Sequence, residues 1–108
     1  MNETQFLNRR AVRRLPLIAE AELLQVATGA KMVARISEIG ARGCYVDTLN
    51  PFAVSEAIKV KIRHQDAVLD LPAKVIYTHA GFGMGVLFGE IPAAQQALLD
   101  SWLGDPAE

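Results

Sequence analysis

Hydrophobic and polar positions alternate over much of the chain, and the alternation predicts β-strands. The clearest case is residues 57–64, where Ile58, Val60 and Ile62 share one face and Lys59, Lys61 and Arg63 the other. That is the pattern of an antiparallel strand buried on one side. Residues 31–37 alternate in the same sense, and 44–49 are rich in strand formers. Residues 67–77 and 84–88 predict two more strands; Pro72 within the first implies an edge position or a bulge.

Residues 17–27 carry two signals. Their Ala, Glu, Leu and Gln content favours helix by propensity, while part of the segment alternates. A turn across Thr28, Gly29, Ala30 and Lys31 would fold 18–27 back on 31–37 as a hairpin, so a strand is expected there. Pro16 disfavours helical geometry at Leu15 and ends the preceding stretch in extended chain. Turns are expected at Asn50-Pro51, Gln65-Asp66 and 78–83, and a short link with two glycines at 37–43. Residues 93–103 place Ala94, Leu98, Leu99 and Trp102 at helical spacing. Pro92 lies at the first turn and Gly104 beyond the end. Six short strands and one terminal helix predict an all-β fold: a small six-stranded antiparallel β-barrel with a C-terminal helix over one end.

At 108 residues the chain is one domain with room for a real core, and its 51% apolar content is that of a folded protein. The net charge of −1 is unevenly spread: residues 1–14 carry four Arg against Glu3, net +3, leaving −4 for the rest. The organisation expected is a flexible basic arm (1–14), a barrel domain with its helix (15–104) and a tail (105–108). A mildly acidic body disfavours bulk DNA or RNA binding. An aromatic content of 6% argues against a single-strand-binding barrel, which needs stacking platforms. The single cysteine, Cys44, lies in an apolar run and reads as a buried structural thiol of a reducing compartment. No secretory signal and no membrane-spanning run is visible, so a cytoplasmic protein is expected.

No enzyme constellation emerges. His64 and His79 have no cysteine or carboxylate cluster at metal-ligand spacing and read as surface histidines; no metal and no cofactor is expected. Ser37 and Ser55 lack a nucleophile-elbow context. The glycines at 81, 83 and 85 lie between two strands, without the helix N-terminus that phosphate-cradling loops use. The arginines remain. Guanidinium forks grip phosphate oxygens, pair with O6 and N7 of guanine, and stack on base faces.

Three features taken together resemble the PilZ domain, a bacterial receptor module for cyclic di-GMP. Arg9-Arg10-Ala11-Val12-Arg13-Arg14-Leu15-Pro16 is similar to the family's RxxxR segment, best matched by Arg10 and Arg14, with Arg9 and Arg13 a second register. Residues 37–43 follow one predicted hairpin and lead into Cys44-Tyr45-Val46. The ending, 75–88 and then a helix, is similar to the family's final hairpin and helix. The family's second motif, D/N-x-S/A-x-x-G, is altered: Glu38 replaces Asp or Asn, Gly40 replaces Ser or Ala, and Gly43 matches.

The resemblance implies a stand-alone cyclic di-GMP receptor. Arg10 and Arg14 would bind guanine and phosphate, with Arg9 and Arg13 as auxiliary cations. Glu38, Gly40, Arg42 and Gly43 would form the barrel-side wall. Arg42 has two readings, a phosphate contact or a solvent-facing side chain. The implied device is an arm that closes on the nucleotide and signals to an unidentified downstream protein, in a setting of motility. The alternative is a PilZ-like adaptor that binds no nucleotide and acts by protein contacts.

Overall fold

The structure is a computed structural model and describes residues 14–104. Six strands follow in order: β1 (Arg14–Gln25), β2 (Lys31–Gly40), β3 (Gly43–Asp47), β4 (Ala57–His64), β5 (Ala67–His79) and β6 (Gly83–Phe88). A helix, α1 (Ala93–Leu103), follows β6. All pairings are antiparallel and the sheet closes on itself in the order β1-β2-β3-β6-β5-β4. The fold is thus the expected six-stranded barrel, and the segment with two signals is a strand. Its helix propensity is overridden because β1 pairs on both sides, with β2 and with β4.

The core is the barrel interior. Alternate residues such as Leu23, Ile58, Val60, Ile62, Leu69 and Leu71 point inward and are at most 1% exposed. The β4–β5 turn is two residues long, and Gln65 and Asp66 both adopt positive φ (54° and 63°), as the tightest hairpins require. Helix α1 seals the barrel through Leu99 and Leu103, while Trp102 meets His64 edge-on at 5.2 Å. Burying a leucine as fully as Leu99 contributes about 1.5–3 kcal/mol. Ala94, expected on the buried stripe, is exposed; the stripe runs instead through Leu99 and Leu103. Gly104 ends the helix at φ 74°, donating its N–H to the carbonyls of Asp100 and Ser101.

Two further sequence expectations change. Residues 37–40 are not a link: β2 runs to Gly40 and the turn is only Ala41-Arg42. Pro72 lies neither on an edge strand, since the barrel has none, nor at a bulge. β5 outruns β6, whose last partner is Ala73 opposite Phe88. The Pro72 carbonyl accepts from Gly89 N at 2.7 Å. Its missing N–H therefore faces the same side, beyond the end of β6, where the ladder needs no donor. Two residues earlier, Asp70 N donates to the Gln95 side chain of α1 at 2.6 Å.

Besides a register shift between β1 and β2 at Pro16–Ala19, two irregularities shape the outer wall. Against β3, the register of β2 passes from Ile36↔Val46 to Glu38↔Tyr45, so Ser37 is an extra residue. Against β6, β5 passes from Val75↔Val86 to Tyr77↔Gly85, so Ile76 is extra. A bulge switches which alternate residues face in. Before each one, Ile36 and Val75 are buried; after it, Ile39 is buried while Glu38 and Tyr77 turn outward.

Candidate functional site

With those reversals, one row of residues crosses the outside of the barrel: Glu38 on β2, Tyr45 on β3, Gly85 on β6 and Tyr77 on β5, each opposite the next. A second row beside it runs through Arg35, Asp47, Gly83 and His79. Arg14 joins the first row from β1. It sits opposite Gly40, and its guanidinium donates to Glu38 Oε1. Asp47 anchors the second row, accepting from Ser37 Oγ at 2.9 Å and from Arg35 Nε at 3.4 Å.

The glycines of β6 let aromatic rings lie across it. A Cβ on Gly85 would fall 2.3 Å from the Tyr77 ring, and one on Gly83 would fall 2.7 Å from the Tyr45 ring. The two tyrosine ring centres are 6.3 Å apart and the planes inclined by 34°. His79 completes the group, 5.8 Å from Tyr45 and 5.2 Å from Tyr77, with Tyr45 Oη 3.0 Å from His79 Nδ1. Tyr45 holds its phenolic proton to higher pH than an ordinary tyrosine. Partial burial is the main cause, and Tyr77, Asp47 and Glu38 add to it.

The sequence-predicted residues are placed unequally. Arg14, Glu38 and Gly40 come together on the outer wall. Arg42 is exposed on the β2–β3 turn, where it lines a hollow of about 360 Å³ with Phe88, Gly89, Ile91 and Gln96, towards α1. Gly43 is buried; its Cβ position lies 2.0 Å from the Val86 carbonyl oxygen, so it serves the β3–β6 approach and presents no side chain. Arg9, Arg10 and Arg13 lie outside the described residues, as does the 105–108 tail. Arg14, assigned by sequence to the arm, is the first residue of β1. Tyr45, Tyr77 and His79 are not among the sequence-predicted site residues. The signal that points to them is Gly83 and Gly85 at alternate positions of one strand, which leave one face without side chains.

The surroundings narrow the chemistry. Cys44, beneath Tyr45, is buried and its thiol is pushed up to about 12 by desolvation, against an opposing effect of Arg14. Among the described residues, no group of three His, Cys, Asp or Glu could hold a metal ion, and no helix is long and apolar enough to cross a membrane. The arrangement offers a donor fork, an adjacent carboxylate and flat rings on one open wall. Such groups can hydrogen-bond to a polar heterocycle and stack on it.

Solved structures share this architecture. The PilZ domain of YcgR from Escherichia coli with cyclic di-GMP superposes with a TM-score of 0.72 at 13% identity, covering 89% of both chains. The PilZ domain of CeSA from a cellulose-synthesizing bacterium gives 0.69 at 17% identity, over 85% of this chain and 96% of that one. The Bacillus subtilis inhibitor of motility MotI/DgrA gives 0.73 at 18% identity, over 87% of this chain; the chain spans only about half (49%) of that protein's length. Comparison with curated proteins finds no match. The profile of the PilZ domain matches residues 7–105, nearly the whole chain and every strand described above: the chain belongs to the PilZ domain family.

Proposed function

We propose that this chain is a receptor for cyclic di-GMP, with the nucleotide seated on the outer wall around Arg14 and Glu38. The observation that carries the reading is the pairing of these two side chains at the mouth of the β2–β3 turn. Guanine presents acceptors at N7 and O6 and a donor amine at N2. A guanidinium beside a carboxylate supplies the complementary set: Arg14 donates to O6 and N7, and Glu38 accepts from the amine edge. Gly40, buried opposite Arg14, presents no side chain there. Arg10, with Arg9 and Arg13, brings further cations to the phosphates, and Arg42 flanks the turn. Relatives solved with cyclic di-GMP share the fold, which makes this nucleotide the one to test first. The nucleotide-bound wall and N-terminal segment then form the surface that a downstream protein recognises. A ligand shifts such an equilibrium only by its preference for one state.

The test is titration calorimetry with cyclic di-GMP at low and physiological salt. Binding is expected at both, weaker at the higher salt because arginines meet phosphates. A second titration uses cyclic di-inosine monophosphate, which lacks the 2-amino group. It should bind wild type roughly 10-fold or more weakly, as for a lost hydrogen bond to a charged group. Glu38→Gln should reduce that discrimination. No heat and no rise in melting temperature at roughly 100 µM ligand would sink the receptor reading and favour the adaptor alternative.

A further inference from the structure

The ring cluster beside the arginine–carboxylate pair does work that the edge-reading pair leaves undone. Edge contacts fix which base is bound but leave its faces to water. We propose that Tyr45 and Tyr77 form a stacking platform for a guanine base of the cyclic dinucleotide, an inference that rests on the receptor reading above. Tyr45 is the direct cross-strand neighbour of Glu38, and Tyr77 is reached from it across Gly85. Adjacent strands are about 4.8 Å apart, so the platform begins one strand step from the carboxylate. A base whose edge meets Glu38 is therefore within reach of the Tyr45 ring.

The platform is preorganised. The rings rest on bare glycine backbone, so they cannot sink further into the sheet. The contact between Tyr45 Oη and His79 Nδ1 limits rotation of the first ring, and His79 packs against the second. The chain has only two tyrosines and places both here, half-buried. Tyrosine gives a large apolar face with a polar tip that stays wet, which suits an open stacking surface. A purely architectural role, rings covering glycines in a sheet, accounts for the packing on β6. It does not account for the row's continuation into Glu38 and Arg14.

Three measurements test the platform. The guanine H8 proton resonance of cyclic di-GMP should move upfield on binding wild type, because the base lies over aromatic rings. Tyr45→Leu and Tyr77→Leu should each lower affinity roughly 5- to 150-fold, the range for losing one base–aromatic stack. Tyr77→Phe should rescue most of the Tyr77→Leu loss, since it restores the ring; melting curves identify any leucine variant that fails to fold. Wild type that binds with no upfield shift, or folded leucine variants that bind as wild type does, would overturn the platform and leave the receptor reading standing. Wild type that does not bind at all overturns both.

Discussion

Arg14 and Glu38 meet across the first rungs of the barrel: the guanidinium at the start of β1 donates to a carboxylate that a bulge has turned outward on β2. Their side chains are 27% and 46% exposed. Water screens a pair this open, and such pairs contribute about 0–1 kcal/mol to folding. A charged hydrogen bond to a ligand is worth more, about 1.5–3 kcal/mol. Arg14→Ala should therefore lower the unfolding free energy by less than about 1 kcal/mol while weakening cyclic di-GMP binding roughly 10- to 150-fold. Urea denaturation and calorimetry on the same sample separate the two. A large loss of stability with unchanged affinity would make Arg14 a structural residue.

Gly43 and Gly85 sit on neighbouring strands, and alanine at the two should behave differently. At Gly43 the added methyl would lie 2.0 Å from a backbone carbonyl, that of Val86. Backbone can move only if β3 and β6 part, and such overpacking costs about 1–3 kcal/mol or more. At Gly85 the obstacle is the Tyr77 ring, which can swing away. Gly43→Ala should lower the urea midpoint clearly. Gly85→Ala should lower it less but reduce nucleotide affinity, because the displaced ring leaves the platform. Equal midpoints for the two variants would contradict this account of the β3–β6 contact.

Much of the barrel is legible in the sequence because its strands are one-sided. Ile58, Val60 and Ile62 against Lys59, Lys61 and Arg63 leave little choice, and Pro92 and Gly104 bracket the helix at its observed ends. The bulges are not legible. Ser37 and Ile76 interrupt the alternation by a single residue, and a strict period of two would send Glu38 inward with Ile36. Only pairing with β3 and β6 shows which way it turns. The site divides on the same line. Arg14, Glu38 and Gly40 lie in two short segments and are found through the resemblance of those segments to the family's motifs. Tyr45 is far in sequence from Tyr77 and His79, which share β5, and it meets them only because β6 is inserted between β3 and β5. Gly83 and Gly85 do not by themselves reveal a floor for rings; that role needs the flanking strands.

The buried Cys44 thiol makes the stability of the barrel depend on pH. The thiol is buried between Ile39 and Val86, and its pKa rises from 9.0 to about 12, with desolvation the cause and the Arg14 charge opposing. The thiolate is the reactive form, so a thiol reagent at pH 8 should leave the native protein unlabelled and label it once urea unfolds it. The stability consequence follows from proton linkage. Below pH 9 the folded and unfolded chains both keep the proton, and the contribution is fully present. Between pH 9 and about 12 the unfolded chain releases it and the folded chain does not, so stability falls as pH rises, by at most about 1.4 kcal/mol per pH unit. Above the folded value the loss levels off. Tyr45, also raised, acts in the same direction, so the comparison must be with Cys44→Ala, which keeps the tyrosine and lacks the thiol. Unfolding free energies measured from pH 8 to 11 should fall more steeply for wild type than for Cys44→Ala. Parallel curves would mean that the thiol reaches solvent in the folded protein.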